Sequence, residues 1–178
     1  MSYILQGITR ILQGSTMGTK VSRKLVIGWF SFTCSEDGTI VFVELMNDKF
    51  FEWRERIEFR HCKVLKTKNE LKGLDVAFVE GAISTKKDLE MVKEIRKNCK
   101  KLVAVGACAI TGMPAAQRNN FDQGTKKEIQ FILDRFNYLD KVYPVGEVVK
   151  VDDIVPGCPI SPEKLNEVMN KYIAEFCK

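Results

Sequence analysis

Leu25-Val26-Ile27-Gly28-Trp29-Phe30-Ser31-Phe32 runs straight into Thr33-Cys34-Ser35-Glu36-Asp37-Gly38. The first half is apolar almost without a break and has the length of a strand. A strand with one wet face would alternate, so a continuous run fits a parallel strand covered on both sides. The second half is a tight polar loop carrying one thiol and two carboxylates. A buried strand emptying into a chemically loaded loop is the signature of an open α/β sheet, whose sites form where strands end.

Beyond this stretch, the same alternation of strand and helix recurs. Residues 57–64, 75–79 and 102–105 read as further strands, and 143–149 as strand-like. Residues 40–53 read as an amphipathic helix. Lys86–Asn98 is a helix with Leu89, Val92 and Ile95 facing inward and Ser84 or Thr85 as its N-cap. Residues 126–136 form another, and 165–176 a last one, introduced by Ser161-Pro162-Glu163 with proline in the first turn. Strands alternating with helices predict an α/β fold with a doubly wound parallel sheet.

Residues 1–20 differ. Ile4, Leu5, Ile8, Ile11 and Leu12 recur at helical spacing before Gly14-Ser15-Thr16 and Gly18 break the pattern. This predicts an amphipathic N-terminal extension over 1–20 and a single domain over 21–178. The extension suits packing on its own domain or docking on a partner, with membrane contact at most peripheral.

The bulk composition narrows the class. An apolar fraction of 45% and a charged fraction of 29% belong to a globular protein. The net charge of +5 comes from lysines scattered among acidic residues, which describes a solvated surface and not a nucleic-acid stripe. A mildly basic rim would steer an acidic redox carrier. No apolar stretch approaches the ~18 residues of a membrane span. Six cysteines without a secretory leader point to the reducing cytoplasm, where clustered thiols mean metal or redox chemistry.

The residues just past each strand are therefore informative. After the first comes Cys34-Ser35-Glu36-Asp37, after the third Glu80-Gly81-Ala82, and after the fourth Gly106-Ala107-Cys108-Ala109-Ile110-Thr111-Gly112. A rigid turn, Val155-Pro156-Gly157-Cys158-Pro159, holds another thiol. Small residues around Cys108, Gly106 among them, let the backbone approach a bulky object. Cys34, Cys108 and Cys158 form a soft donor set of the kind that holds iron–sulfur clusters, for which four thiolates are usual. A Cys-x-x-Cys pair would put the fourth at position 37, where this chain has Asp37. Carboxylate is a harder, less donating ligand than thiolate. Either Asp37 ligates a four-iron cluster, or the site holds three irons, or Glu36 or solvent completes it. Cys62, Cys99 and Cys177 read as ordinary thiols. His61, the sole histidine, cannot make a zinc site alone. The first loop also lacks the phosphate cradle an FMN site needs.

The ordered set Thr33-Cys34-Ser35, Val79-Glu80-Gly81-Ala82-Ile83, Gly106 to Gly112 with Arg118-Asn119, and Pro156-Gly157-Cys158-Pro159 resembles the small, electron-transferring subunit of [NiFe] hydrogenases. It more distantly resembles the cluster-binding 20 kDa subunit of complex I. The resemblance implies a flavodoxin-like domain holding one proximal [4Fe–4S] cluster, or a [3Fe–4S] variant, through Cys34, Cys108, Cys158 and position 37. It also implies a large-subunit partner carrying the nickel–iron centre, and further electron-transfer subunits or an acidic carrier. Glu36, Glu80, Gly106 and Arg118 would lie near the cluster. Glu80 would tune it, handle protons, or hold backbone amides of its turn. Arg118 and Asn119 would position the Cys108 loop or meet the large subunit. Longer relatives add a cysteine-rich segment absent here, so a single cluster is expected. The alternatives are a nickel-free complex I-like oxidoreductase and an assembly module without a cluster.

Overall fold

The computed structural model describes residues 23–177; the expected amphipathic extension falls outside the described residues. The chain order is β1 (Leu25–Ser31), α1 (Asp37–Arg56), β2 (Ile57–Cys62), β3 (Leu74–Glu80), β4 (Ile83–Thr85), α2 (Lys86–Asn98) and β5 (Cys99–Val105). There follow α3 (Gly106–Thr111), a 3-10 turn (Ala115–Asn120), α4 (Gln123–Arg135), β6 (Tyr138–Tyr143), α5 (Val145–Val148), β7 (Asp153–Val155) and α6 (Pro162–Phe176).

Five strands form one sheet in the order β2-β1-β3-β5-β7, each pair parallel. Counting only those strands, the order is 2-1-3-4-5, the flavodoxin-like doubly wound arrangement with its switch point between β1 and β3. β4 and β6 pair antiparallel in a separate ribbon.

The apolar run of β1 is explained by its two covered faces. Leu25, Ile27 and Trp29 point into a core with Phe42 and Trp53 of α1 and Leu165, Met169 and Tyr172 of α6. Val26 and Phe30 point the other way, into a core with Val92 and Ile95 of α2 and Ala109 of α3. Asp75, 1% exposed, ties the bottom of the sheet together: it accepts the Val26 N–H at 3.0 Å and pairs with Arg23 and Lys100.

Local signals held where they were strong. Thr85 caps α2 in a reciprocal box with Asp88. Ser161 caps α6, with Pro162 in its first turn. The strand expected at 143–149 is corrected: the strand is Tyr138–Tyr143, and Val145–Val148 is a helical turn after Pro144. Proline lacks the N–H a strand ladder needs, so the pairing stops before it.

Candidate metal centre

The C-terminal ends of β1, β3, β5 and β7 are neighbours in the sheet order, so their following loops meet along one edge. Hydrogen bonds stitch these loops together. The Phe32 N–H donates to the Glu80 carbonyl at 2.8 Å, and Thr33 and Ala82 exchange backbone bonds at 3.2 and 2.9 Å. Gly81 must be glycine there: its φ is +94°, and a Cβ would stand 2.8 Å from the Phe32 carbonyl carbon. On the other side, the Ala107 N–H donates to the Gly157 carbonyl at 2.9 Å, locking the Cys108 segment to the Cys158 turn.

This edge carries Cys34, Asp37, Cys108 and Cys158. The Cys158 thiol donates to Asp37 Oδ2 at 3.2 Å across 121 residues of sequence. Cys34 lies half-buried, Cys108 buried and Cys158 exposed, and none of the three is in a disulfide. Burial pushes the Cys34 thiol up to about 12, and the Glu80 charge adds to the shift. Cys108 is raised by burial and then by Asp37 and Glu80. Cys158 is raised by its hydrogen bond to Asp37 and by that carboxylate's charge. Thiolates here would add negative charge beside two carboxylates. A bound cation would supply the missing opposite charge and make thiolate ligation favourable.

Among the described residues, no three His, Cys, Asp or Glu side chains converge tightly enough for a single metal ion. Three thiols and a carboxylate spread around one edge are suited instead to a multi-iron cluster, which fills the space between its ligands. The donor chemistry of the three thiols fits an iron–sulfur group, and a carboxylate at position 37 would be a harder donor beside them.

The remaining predicted residues separate. Glu80, 2% exposed, closes β3 behind the thiols. Glu36 occupies the residue before α1 with φ +61°, and its side chain is solvent-exposed. Gly106 opens α3 at φ +80°, directly against the Gly157 carbonyl. Arg118 turns away from the thiols: it donates to the Leu139 and Asp140 carbonyls at 2.6 and 3.2 Å and lies over the Tyr138 ring. Asn119 grips the Val142 amide and carbonyl, both at 2.8 Å. These two residues brace the 3-10 turn onto β6. His61 stacks on Phe30 and meets the Trp29 carbonyl at 3.2 Å; burial lowers its pKa. It borders a cavity of about 500 Å³ with Glu36, Lys63, Leu71 and Met91, beside a β2–β3 connection that carries no helix.

Sequence reasoning missed the polar set behind the loop. Thr39 accepts the Trp29 indole N–H at 2.9 Å and donates to Glu80 at 2.6 Å, and Ser31 also reaches Glu80, at 3.4 Å. No local pattern marks it, because Glu80 lies far along the chain from both partners.

The sequence profile of the NADH ubiquinone oxidoreductase 20 Kd subunit family matches residues 37–172. The chain is 28% identical over 151 residues to the NAD-reducing hydrogenase HoxS subunit delta of Cupriavidus necator, covering 76% of this chain and 72% of that protein. It is 29% identical to the sulfhydrogenase 2 subunit delta of Pyrococcus furiosus, covering 68% of this chain and 51% of that one. A subunit of the F420-non-reducing hydrogenase of Methanothermobacter marburgensis is 30% identical, with 69% and 45% covered. The chain thus spans about half the length of the latter two. In fold, it superposes on a chain of the NAD+-reducing [NiFe]-hydrogenase in the H2-reduced state with a TM-score of 0.73, at 24% identity, covering 86% of this chain and 93% of that one. The profile match across most of the domain makes this chain a member of the NADH ubiquinone oxidoreductase 20 Kd subunit family.

Proposed function

We propose that this chain is the electron-transfer small subunit of a [NiFe]-hydrogenase-type complex, holding one iron–sulfur cluster through Cys34, Cys108, Cys158 and Asp37. What supports this is the Cys158–Asp37 contact across the sheet edge, with Cys34 and Cys108 on the loops that follow β1 and β5, in a chain whose relatives are hydrogenase subunits. An iron–sulfur cluster supplies one-electron storage at a potential set by its ligands, burial and hydrogen bonds. The chain's own part is positional and electrostatic. The β1, β5 and β7 loops fix three sulfurs on one edge, and the cores on both sheet faces keep that edge from spreading. With Asp37 bound the cluster would be [4Fe–4S]; with Asp37 off the metal it would be [3Fe–4S], or be completed by Glu36 or solvent.

The thiol edge is also a surface to be covered. Cys158 is exposed, and Ile40 and Met113, which flank the Asp37 and Cys108 segments, are 58% and 41% exposed. A large subunit carrying the nickel–iron centre would bury this apolar rim and bring its reacting metals within electron-transfer reach. Electrons would leave through a further subunit or an acidic carrier. Among the described residues no helix is long and apolar enough to cross a membrane.

The test is a tagged chain isolated anaerobically from its own cells. It should co-purify with a large subunit containing paired Cys-x-x-Cys nickel ligands and reduce a viologen dye with hydrogen. Cys108→Ala should abolish dye reduction while the subunits still co-purify. A partner without those motifs would move the chain to the nickel-free, complex I-like reading. Dye reduction unaffected by Cys108→Ala would refute cluster-mediated transfer.

A further inference from the structure

Helix α1 starts without an ordinary cap. Glu36, at the capping position, is left-handed (φ +61°, ψ +16°), and its side chain caps nothing. One orphan amide of the first turn and one side-chain hydroxyl are met by a distant residue. The Gly38 N–H donates to Glu80 Oε1 at 3.1 Å, and the Thr39 hydroxyl to Glu80 Oε2 at 2.6 Å. The Trp29 indole N–H donates in turn to Thr39. A carboxylate at this place satisfies free amides and complements the positive end of the helix. The approach depends on glycine, since a Cβ at Gly38 would lie 3.1 Å from Glu80 Oε1.

The remote cap has a consequence for the thiols. Asp37 occupies the first helical position, where a short carboxylate commonly folds back onto first-turn amides. Here its Oδ1 shares the Gly38 N–H with Glu80, at 2.9 Å against 3.1 Å, and its Oδ2 is left to the Cys158 thiol. We propose that Glu80 is the positioning residue of this centre: a helix cap supplied from β3 that fixes the first turn of α1 and aims Asp37 at the cysteines. The capping role stands on the hydrogen bonds alone, while its effect on a cluster rests on the function proposed above.

A cap acting through Asp37 and a bare charge near the sulfurs give different results. The experiment uses the anaerobically purified complex with Glu80→Gln, Thr39→Val, Thr39→Ser, Asp37→Ala and the Glu80→Gln/Asp37→Ala double variant. Glutamine keeps the shape but cannot accept at both ends, so amide hydrogen exchange at Gly38 should rise about fivefold to tenfold. Thr39→Val should do the same without changing any charge, and Thr39→Ser should restore protection. Glu80→Gln should also alter the reduced cluster's electron paramagnetic resonance spectrum and midpoint potential. Most of that change should vanish once Asp37 is already alanine. Unchanged exchange in both Glu80→Gln and Thr39→Val would overturn the cap. Shifts that add fully in the double variant would overturn the positioning role and leave Glu80 as a charge. A wild-type complex without iron would instead refute the cluster, and the exchange data would still decide the cap. If Glu80→Gln fails to accumulate, Thr39→Val carries the exchange test alone.

Discussion

Phe42→Ala is the perturbation that best probes how the fold supports the centre. Phe42 is fully buried under β1, with its ring 4.4 Å from Trp29 and stacked on it, 6.3 Å from Trp53 and 6.0 Å from Phe59. Burying a phenylalanine removes roughly 150–250 Å² from water, worth about 4–6 kcal/mol at ~25 cal/mol per Å² as an upper bound. Measured truncations of this type cost about 3–5 kcal/mol, so about 4 kcal/mol is the expected loss. At roughly 2–4 °C per kcal/mol for a chain of this size, the melting temperature should fall by about 8–16 °C. Phe42→Leu, which keeps most of the volume, should cost roughly 1.5 kcal/mol or less. The chain has two tryptophans, Trp29 and Trp53, and both stack on this ring, so intrinsic fluorescence reports the site itself. Urea denaturation followed by tryptophan emission is the assay, with a red-shifted native spectrum expected in Phe42→Ala. Because Trp29 holds Thr39, and Thr39 holds Glu80, the cavity should also speed amide exchange at the start of α1. A loss under about 1 kcal/mol with unchanged emission would refute the claim that this aromatic stack anchors the helix.

Three further outcomes rest on the same geometry. Asp75 would be raised by burial, but hydrogen bonds from Lys100, the Val26 amide and Arg23 outweigh it and hold its pKa below the ordinary 3.8. Its stabilisation is therefore fully present above pH 3.8 and lost as pH falls through the depressed value. Asp75→Asn should cost roughly 1–2 kcal/mol near neutrality, below the usual cost of breaking a buried pair because both cations are half-exposed, and the gap to wild type should close in acid denaturation. Asp37→Cys should keep the cluster and lower its reduction potential, since thiolate donates more than carboxylate; an unchanged potential and spectrum would mean Asp37 never touches the metal. In iron-free protein at neutral pH, Cys158 should alkylate well before Cys34, whose thiol is held near 12 and half-buried, and reconstitution with iron and sulfide should protect both. Equal rates for the two thiols would contradict the placement of Cys34 beside Glu80.

The legible part of the sequence was whatever is encoded locally or by period. The apolar runs of β1, β3 and β5 announced strands buried on both faces, and Ser84-Thr85 announced the start of α2, with Thr85 the cap. The thiols at strand ends were legible because an open parallel sheet delivers those ends to one edge. The hidden part depends on distant contacts. β6 is mostly exposed and polar (Tyr138, Asp140, Lys141) and is a strand only because β4 pairs with it. β7 has three residues and takes its identity from β5. Helix α1 begins at Asp37, three residues before its apolar pattern suggested, because its cap arrives from Glu80 and leaves no local signature. Arg118, adjacent in sequence to the cysteine motif, is turned by Leu139 and Asp140 toward β6.

The proposed function stands or falls on Cys34, Cys108, Cys158 and Asp37 holding one cluster. Iron and sulfide analysis of the anaerobically purified complex, with the electron paramagnetic resonance spectrum of the reduced sample, decides it. About four irons per chain are expected if Asp37 or another fourth ligand binds, or about three if none does, with a signal that Cys108→Ala removes. Iron-free protein that stays iron-free after anaerobic reconstitution, with all three thiols open to alkylation, would contradict the cluster and leave the fold as an assembly module.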